Sequence, residues 1–433
     1  MRAAPPLALA GLAAAGLAVA AAYESPRTFQ ASEVLKPGQV KGPHFTVAPT
    51  VKLDGYFQMF GLETDYGSLE AEGRSMLFQR LNEVRALDQL DDVSKSRVFL
   101  DAAGTSVLNV GKGVASAVKD PGATAKGLGA GVKRFGTNLG RKAKSASDQA
   151  VDSVTKGDDD KKSGGSDKSA GDKAVSAGTG VAYSALGVNA GARRWAQKVG
   201  ADPYTTNPIL KKALTDIGQI DAAGGIAAKV AVPIPPVVSG TAKVGALVWG
   251  KDPQELLKIN EQNLKEAGVG ADTIKKLSLS KGFTLTLLTR LAASLRAVAV
   301  PGCADYAATA AEADTEREAV FFTESAEMLE RLHRTSPVAA VLTDSRALVA
   351  KAKDGRAVVL LPLDWVAWTA ASEKAVAEIE KRAKAELGAS KVDLRMTGTM
   401  SAAAKKETAA RGWTVADRQP SSSELAPAGA AGR

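Results

Sequence analysis

Cysteine, histidine and aromatic residues are scarce in this chain, and each shortage closes off a class of function. Cys303 is the sole cysteine, so no internal disulfide can form, and burial is the expected fate of its thiol. His44 and His333 are the only histidines, far apart in the sequence. Without cysteine pairs or an H-E-x-x-H spacing there is no metal or haem site to build, and no cofactor is expected. The usual general base of a serine or cysteine hydrolase is missing for the same reason. His333, beside Arg331 and Arg334 at a helix end, is expected to contact terminal carbonyls. Aromatics are 5% of residues against 45% hydrophobic overall, with 42 glycines, which predicts cores of Ala, Val and Leu. There is no P-loop, and no G-x-G-x-x-G follows a strand.

Charge of one sign is also not in large excess. The 56 basic and 47 acidic residues leave a net +9, too mild for a dedicated nucleic-acid binder. No nucleic-acid partner is expected, and an anionic membrane surface or an acidic envelope protein is the better electrostatic match. No feature sets an oligomeric state.

What is present starts with residues 1–22, MRAAPPLALAGLAAAGLAVAAA: Arg2, an uncharged run, then small residues at Ala18, Ala20 and Ala22. This is the pattern of a signal peptide. Pro5 and Pro6 interrupt the run and Ala dominates it, which argues against a retained span of roughly 20 apolar residues. The expected mature chain begins near Ala21 or Tyr23 and is periplasmic or extracellular.

The rest reads as a mixed α+β, multidomain chain, two small α+β units flanking a largely helical middle with a disordered linker. Residues 23–103 form the first unit. Within it, 44–64 alternate as strands around a Leu53-Asp54-Gly55 turn, and Met76, Leu77, Leu81, Val84, Leu87 and Leu90 follow at helical spacing. Residues 104–156 are a Gly/Lys-rich amphipathic segment. Residues 157–175 are polar, without a large apolar side chain before Val175, and cannot offset their ordering entropy. In the helical region 176–300, Asn207 is an expected N-cap with Pro208 in the first turn; 256–264 and 283–298 are further helices, and 230–242 is a Pro-broken apolar turn. The C-terminal α+β domain spans 301–418. Its expected elements are a helix over 311–333, a strand over 338–343, a hairpin around Asp354-Gly355, a helix capped by Ser372 and stopped by Gly388, a strand over 392–396, and a helix between Ser401 and Gly412. The tail, 419–433, is expected to be disordered.

One pattern repeats. Lys112, Lys119, Lys126 and Lys133 recur every seven residues and so return to one side of a 3.6-residue helix. Val114, Leu128 and Phe135, with Val132 in an adjoining row, lie on the opposite side. Seven glycines between 111 and 136 cost roughly 0.8–1 kcal/mol each relative to Ala, so the helix needs a surface to lie on. Over about thirty residues the tract resembles the Lys- and Gly-rich amphipathic repeats of synuclein-type and late-embryogenesis-abundant proteins, a resemblance that implies no catalysis. A Gly-rich helix pair packed on a neighbouring domain, with solvated lysines, is the alternative.

Candidates for chemistry are few. Ser278 and Lys281 have the S-x-x-K spacing in which a lysine activates a serine, but the K-T-G strand and S-x-N element of penicillin-binding enzymes and β-lactamases are missing. Asp344, Asp364 and Asp393 fall near strand ends. Asp364-Trp365 is the most suggestive, because an aromatic beside a carboxylate can form a sugar or peptide subsite; such aspartates also serve as caps and turn formers. The expectation is therefore an exported, envelope-associated protein without an evident catalytic site. The alternatives are a hydrolase-type enzyme with an aspartate site in 301–418, or a protein-binding scaffold.

Overall fold

The computed structural model describes residues 23–96, 188, 190–224, 242–342 and 347–425. The signal-like segment, the amphipathic tract with its four lysines and four apolar residues, the linker 157–175 and Asp344 all lie outside the described residues.

The N-terminal part alternates short strands and turns before one long helix. Its elements are β1 (Thr28–Gln30), α1 (Ala31–Val34), α2 (Pro37–Val40), β2 (Lys41–Gly42), β3 (Phe45–Val47), β4 (Thr50–Asp54), β5 (Phe57–Thr64), β6 (Gly67–Glu72) and α3 (Arg74–Lys95). β5 carries the alternation expected of 44–64. It pairs antiparallel with β4 and β3 along one edge and β6 along the other, so Phe57, Phe60 and Leu62 reach the core. Gly55 turns the β4–β5 hairpin with φ +62°, a conformation glycine takes without strain. On α3, Met76, Leu77, Val84, Leu87 and Leu90 are buried as their spacing requires.

The middle is helical, as expected: α4 (Ala190–Val199), α5 (Pro208–Gly224), α6 (Ala242–Gly250), α7 (Pro253–Glu266), α8 (Ala271–Leu279) and α9 (Leu285–Val298). Asn207 caps α5, its Oδ1 accepting from the N–H of Ile209 at 3.0 Å. Trp195, Leu210, Ile217 and the outer face of α3 close a second, smaller core.

The C-terminal part opens on a short helix that was not expected, α10 (Cys303–Ala310), and the helix expected over 311–333 follows as α11 (Glu316–Thr335). Thr315 accepts from the N–H of Glu318, whose carboxylate accepts in return from the N–H of Thr315. This capping box sets the helix start at Glu316, five residues after the expected one. After β7 (Val338–Val341), β8 (Leu348–Ala352), β9 (Ala357–Leu361) and β10 (Trp365–Val366) comes α12 (Ala370–Leu387). Thr369, three residues before the expected Ser372, is its cap; Gly388 ends it in the left-handed region as anticipated. β11 (Val392–Met396), β12 (Thr399–Met400), α13 (Ala402–Ala410, capped by Ser401), β13 (Thr414–Ala416) and α14 (Ser422–Leu425) follow. The five-stranded sheet runs β13-β11-β9-β8-β7, parallel on its first three strands and antiparallel on the last two.

The mixed α+β class is thus present, with three sheets among the described residues: the six-stranded N-terminal sheet, the five-stranded C-terminal sheet and a parallel β10–β12 pair. One continuous core runs from Phe29 to Trp413 through the two larger sheets. The N–H groups of Asp364 and Trp365 both donate to the Tyr56 carbonyl at 3.1 Å. Phe29 meets Trp365 edge to face at 5.1 Å, and the N–H of Glu24 donates to the Trp368 carbonyl at 2.8 Å.

The tail is a second correction. Ser421, Ser422 and Ser423 are buried, because Ser422 donates to Glu327 and Ser423 to Glu324, two carboxylates on the inner face of α11. Residues 426–433 lie outside the described residues. Among those described, no helix is long and apolar enough to cross a membrane.

Candidate functional site

α3 presents Arg74, Phe78, Leu81, Arg85 and Asp88 at spacings of four, three, four and three, which places them on one helical face. That face is one wall of a groove of about 1260 Å³. The α1–α2 segment, with Val34, Leu35 and Lys36, and the start of β3, with His44 and Phe45, line it too; Trp365, Arg418 and Ser423, from the C-terminal part of the chain, complete the lining.

The acids of the groove are already engaged. Asp364 is buried and accepts from the N–H of Gln58 at 2.9 Å and from the N–H of Arg74 at 3.1 Å. It thereby holds the first N–H of α3, whose preceding residue, Gly73, has φ +102°. Gly398 is required on its other side, since an added Cβ would lie 1.9 Å from the Asp364 carbonyl oxygen. Asp88 lies 3.2 Å from His44 Nε2, while Asp65 holds Nδ1 at 2.7 Å. The bond to Asp65 holds the His44 pKa above its ordinary value, with the charge of Asp88 adding to it. Glu33 faces Arg27 at 3.4 Å.

The cations differ from one another. Arg74 donates to the Val34 carbonyl and stacks on Phe78 at 5.5 Å. Arg27 stacks on Phe29 at 4.8 Å and on Trp365 at 5.6 Å. Arg85 is half-buried and donates to Asn82 Oδ1 at 3.1 Å, yet its Nε is buried without an acceptor. Burial pushes its pKa down, and among the described residues no carboxylate offsets that cost. Lys36 and Arg418 are exposed at the rim.

Behind the groove, Ser423 leads to a buried polar cluster. Arg290 grips Glu327 through two bonds of 2.8 and 2.9 Å. Burial opposes ionisation of Glu327, but the charge and hydrogen bonds of Arg290 outweigh it and leave the carboxyl below its usual range. Glu324 accepts from Ser75 at 2.8 Å and from Ser423 at 3.3 Å; its burial pushes its pKa up to about 7.

No family model, curated protein or solved structure matches this chain.

The other residues singled out in the sequence do not assemble. Ser278 donates to the Ile274 carbonyl within α8, and Lys281 is exposed beyond the end of that helix. Asp393 pairs with Arg356. His333 Nδ1 accepts from the N–H of Val338 at 3.1 Å, in place of the expected contact with helix carbonyls. Cys303 is buried, as expected. Among the described residues, no three His, Cys, Asp or Glu side chains come together as metal ligands.

Sequence reasoning missed Arg85, His44, Glu324 and Glu327. The signal for Arg85 was present: it continues the Phe78–Leu81 face by a step of four. Nothing local distinguishes Glu324 or Glu327 from solvated helix acids. The three acids of the groove, Glu33, Asp88 and Asp364, each have a partner.

Proposed function

We propose that the protein is an exported, envelope-associated binding protein, without catalytic activity, that contacts an anionic membrane surface through its basic amphipathic tract. The observation that supports this reading is where the tract sits in the chain. It lies between the end of α3 at Lys95 and the start of α4 at Ala190, two helices that pack on each other in the second core. A segment placed between two helices of one core can engage a surface without breaking either helix. Lys112, Lys119, Lys126 and Lys133 supply attraction to anionic headgroups, and Val114, Leu128, Val132 and Phe135 supply the apolar face. Asp364 is read here as a helix cap and not as a catalytic acid, because both its oxygens are held by backbone N–H groups.

Co-sedimentation with phosphatidylglycerol and phosphatidylcholine vesicles tests the reading. Binding is expected to the anionic vesicles only, to weaken in high salt, and to disappear when the four lysines become Glu. Equal binding to both vesicles, or binding that survives charge reversal, overturns it. Retention of an envelope protein by a chain lacking 104–156 would point to the scaffold alternative.

A further inference from the structure

We infer that the groove along α3 is a binding site for an anionic amphiphile, an apolar chain laid over Phe78 and Leu81 with its carboxylate or phosphate head on Arg85. This inference stands on the groove alone and goes beyond the membrane contact proposed for the basic tract.

Three features converge on that class of ligand. The first is charge: Asp88, Glu33 and Asp364 already have partners, whereas Arg85 has none of opposite sign among the described residues and keeps a buried Nε unbonded. A half-buried guanidinium in this state gains more from an arriving anion than a solvated one does. The second is the spacing of polar and apolar groups. Between Arg74 and Arg85 lie eleven helical steps, about 16 Å, and the side chains that face the groove there include Phe78 and Leu81, with Phe45 and Val34 also in the lining. A polyanion would need cations along that path; it meets apolar carbon instead. The third is size. At about 1260 Å³ the groove exceeds the roughly 300–1,000 Å³ of a typical small-molecule pocket, far more than a free inorganic anion fills. A chain with one charged end satisfies all three.

The test is calorimetric titration of the full chain with dodecyl phosphate below its micellar concentration, beside dodecanoate, dodecanol and inorganic phosphate. Dodecyl phosphate and dodecanoate are expected to bind at one site, with dodecanol and inorganic phosphate each at least about tenfold weaker. Their comparison separates a phosphate-specific head site from a general anionic one. Arg85→Gln should weaken dodecyl phosphate about tenfold and leave dodecanol unchanged, and Arg85→Lys should restore part of the loss. Leu81→Glu, at a half-buried position, places a negative charge in the chain's path and should remove binding even if Arg85→Gln folds poorly. The inference is overturned if dodecyl phosphate does not bind, binds no better than dodecanol, or binds equally to a folded Arg85→Gln or Leu81→Glu chain. Deleting 104–156 should leave dodecyl phosphate affinity intact while abolishing vesicle binding, so either reading can fail without the other.

Discussion

Glu324 shows how far the tertiary environment can move one side chain. It is almost fully buried, with Ser75 and Ser423 as hydrogen-bond partners and the like charge of Glu327 nearby. Burial lifts its pKa from 4.5 to about 7, so the folded state binds a proton more tightly than the unfolded chain does. The contribution of this group to stability is complete below pH 4.5 and is lost as pH rises through 7. Asp202 acts in the same direction: burial raises it to about 6 against bonds from Thr286 and the N–H of Tyr204. A displacement of this size at Glu324 corresponds to about 3 kcal/mol. Glu324→Gln is therefore expected to be near neutral at pH 4 and more stable than the parent chain at pH 8, by about 2–3 kcal/mol. Urea unfolding at the two pH values checks this, and an equal effect at both would count against it.

At the scale of elements, the start of α3 depends on a residue 290 positions away. Gly73 has no side chain with which to cap the helix, so the Asp364 carboxylate accepts the first N–H in its place. The same oxygen accepts from Gln58, which joins β5, α3 and β10 at one point. Asp364→Ala leaves these buried donors without an acceptor, and each such loss costs about 1–3 kcal/mol. The expected destabilisation is about 2–4 kcal/mol, seen as a lower urea midpoint. A variant with unchanged stability and lost turnover on some substrate would instead restore the hydrolase alternative. Caps of the ordinary kind also matter here: Thr315 and Glu318 form the local box that sets the start of α11.

Across the whole molecule, the two ends of the described chain are fastened to its interior. Glu24 accepts from the N–H of Trp368 at 2.6 Å and also from Ser401, while Ser422 and Ser423 close the buried carboxylates of α11. The C-terminal segment is therefore part of the core's polar seal. Truncation after Gln419 removes two hydrogen bonds to buried acids and is expected to cost about 2–4 kcal/mol, lowering the thermal midpoint. Loss of residues 420–433 without any change in that midpoint would show that the docked serines contribute nothing.

By itself, the sequence determined what is settled within a few residues. The Asn207-Pro208 helix start, the left-handed stops at Gly55 and Gly388, the alternation of β5 and the apolar face of α3 all follow from local sterics and periodicity. Lone Cys303 likewise fixed the absence of an internal disulfide. Only the tertiary structure decided which distant groups meet. The Asp-Trp pair at 364–365 reads as a cap or turn former with a subsite as the alternative until Arg74 and Gln58 are placed against it. A serine-rich end reads as solvent-exposed until Glu324 and Glu327 are found unsolvated beneath it. Arg85 looks like any helix arginine until the acids of the groove are seen to be paired with other groups. The reason is physical: caps and turns are formed by groups a few bonds apart, whereas desolvation and charge pairing depend on the sum of everything packed nearby.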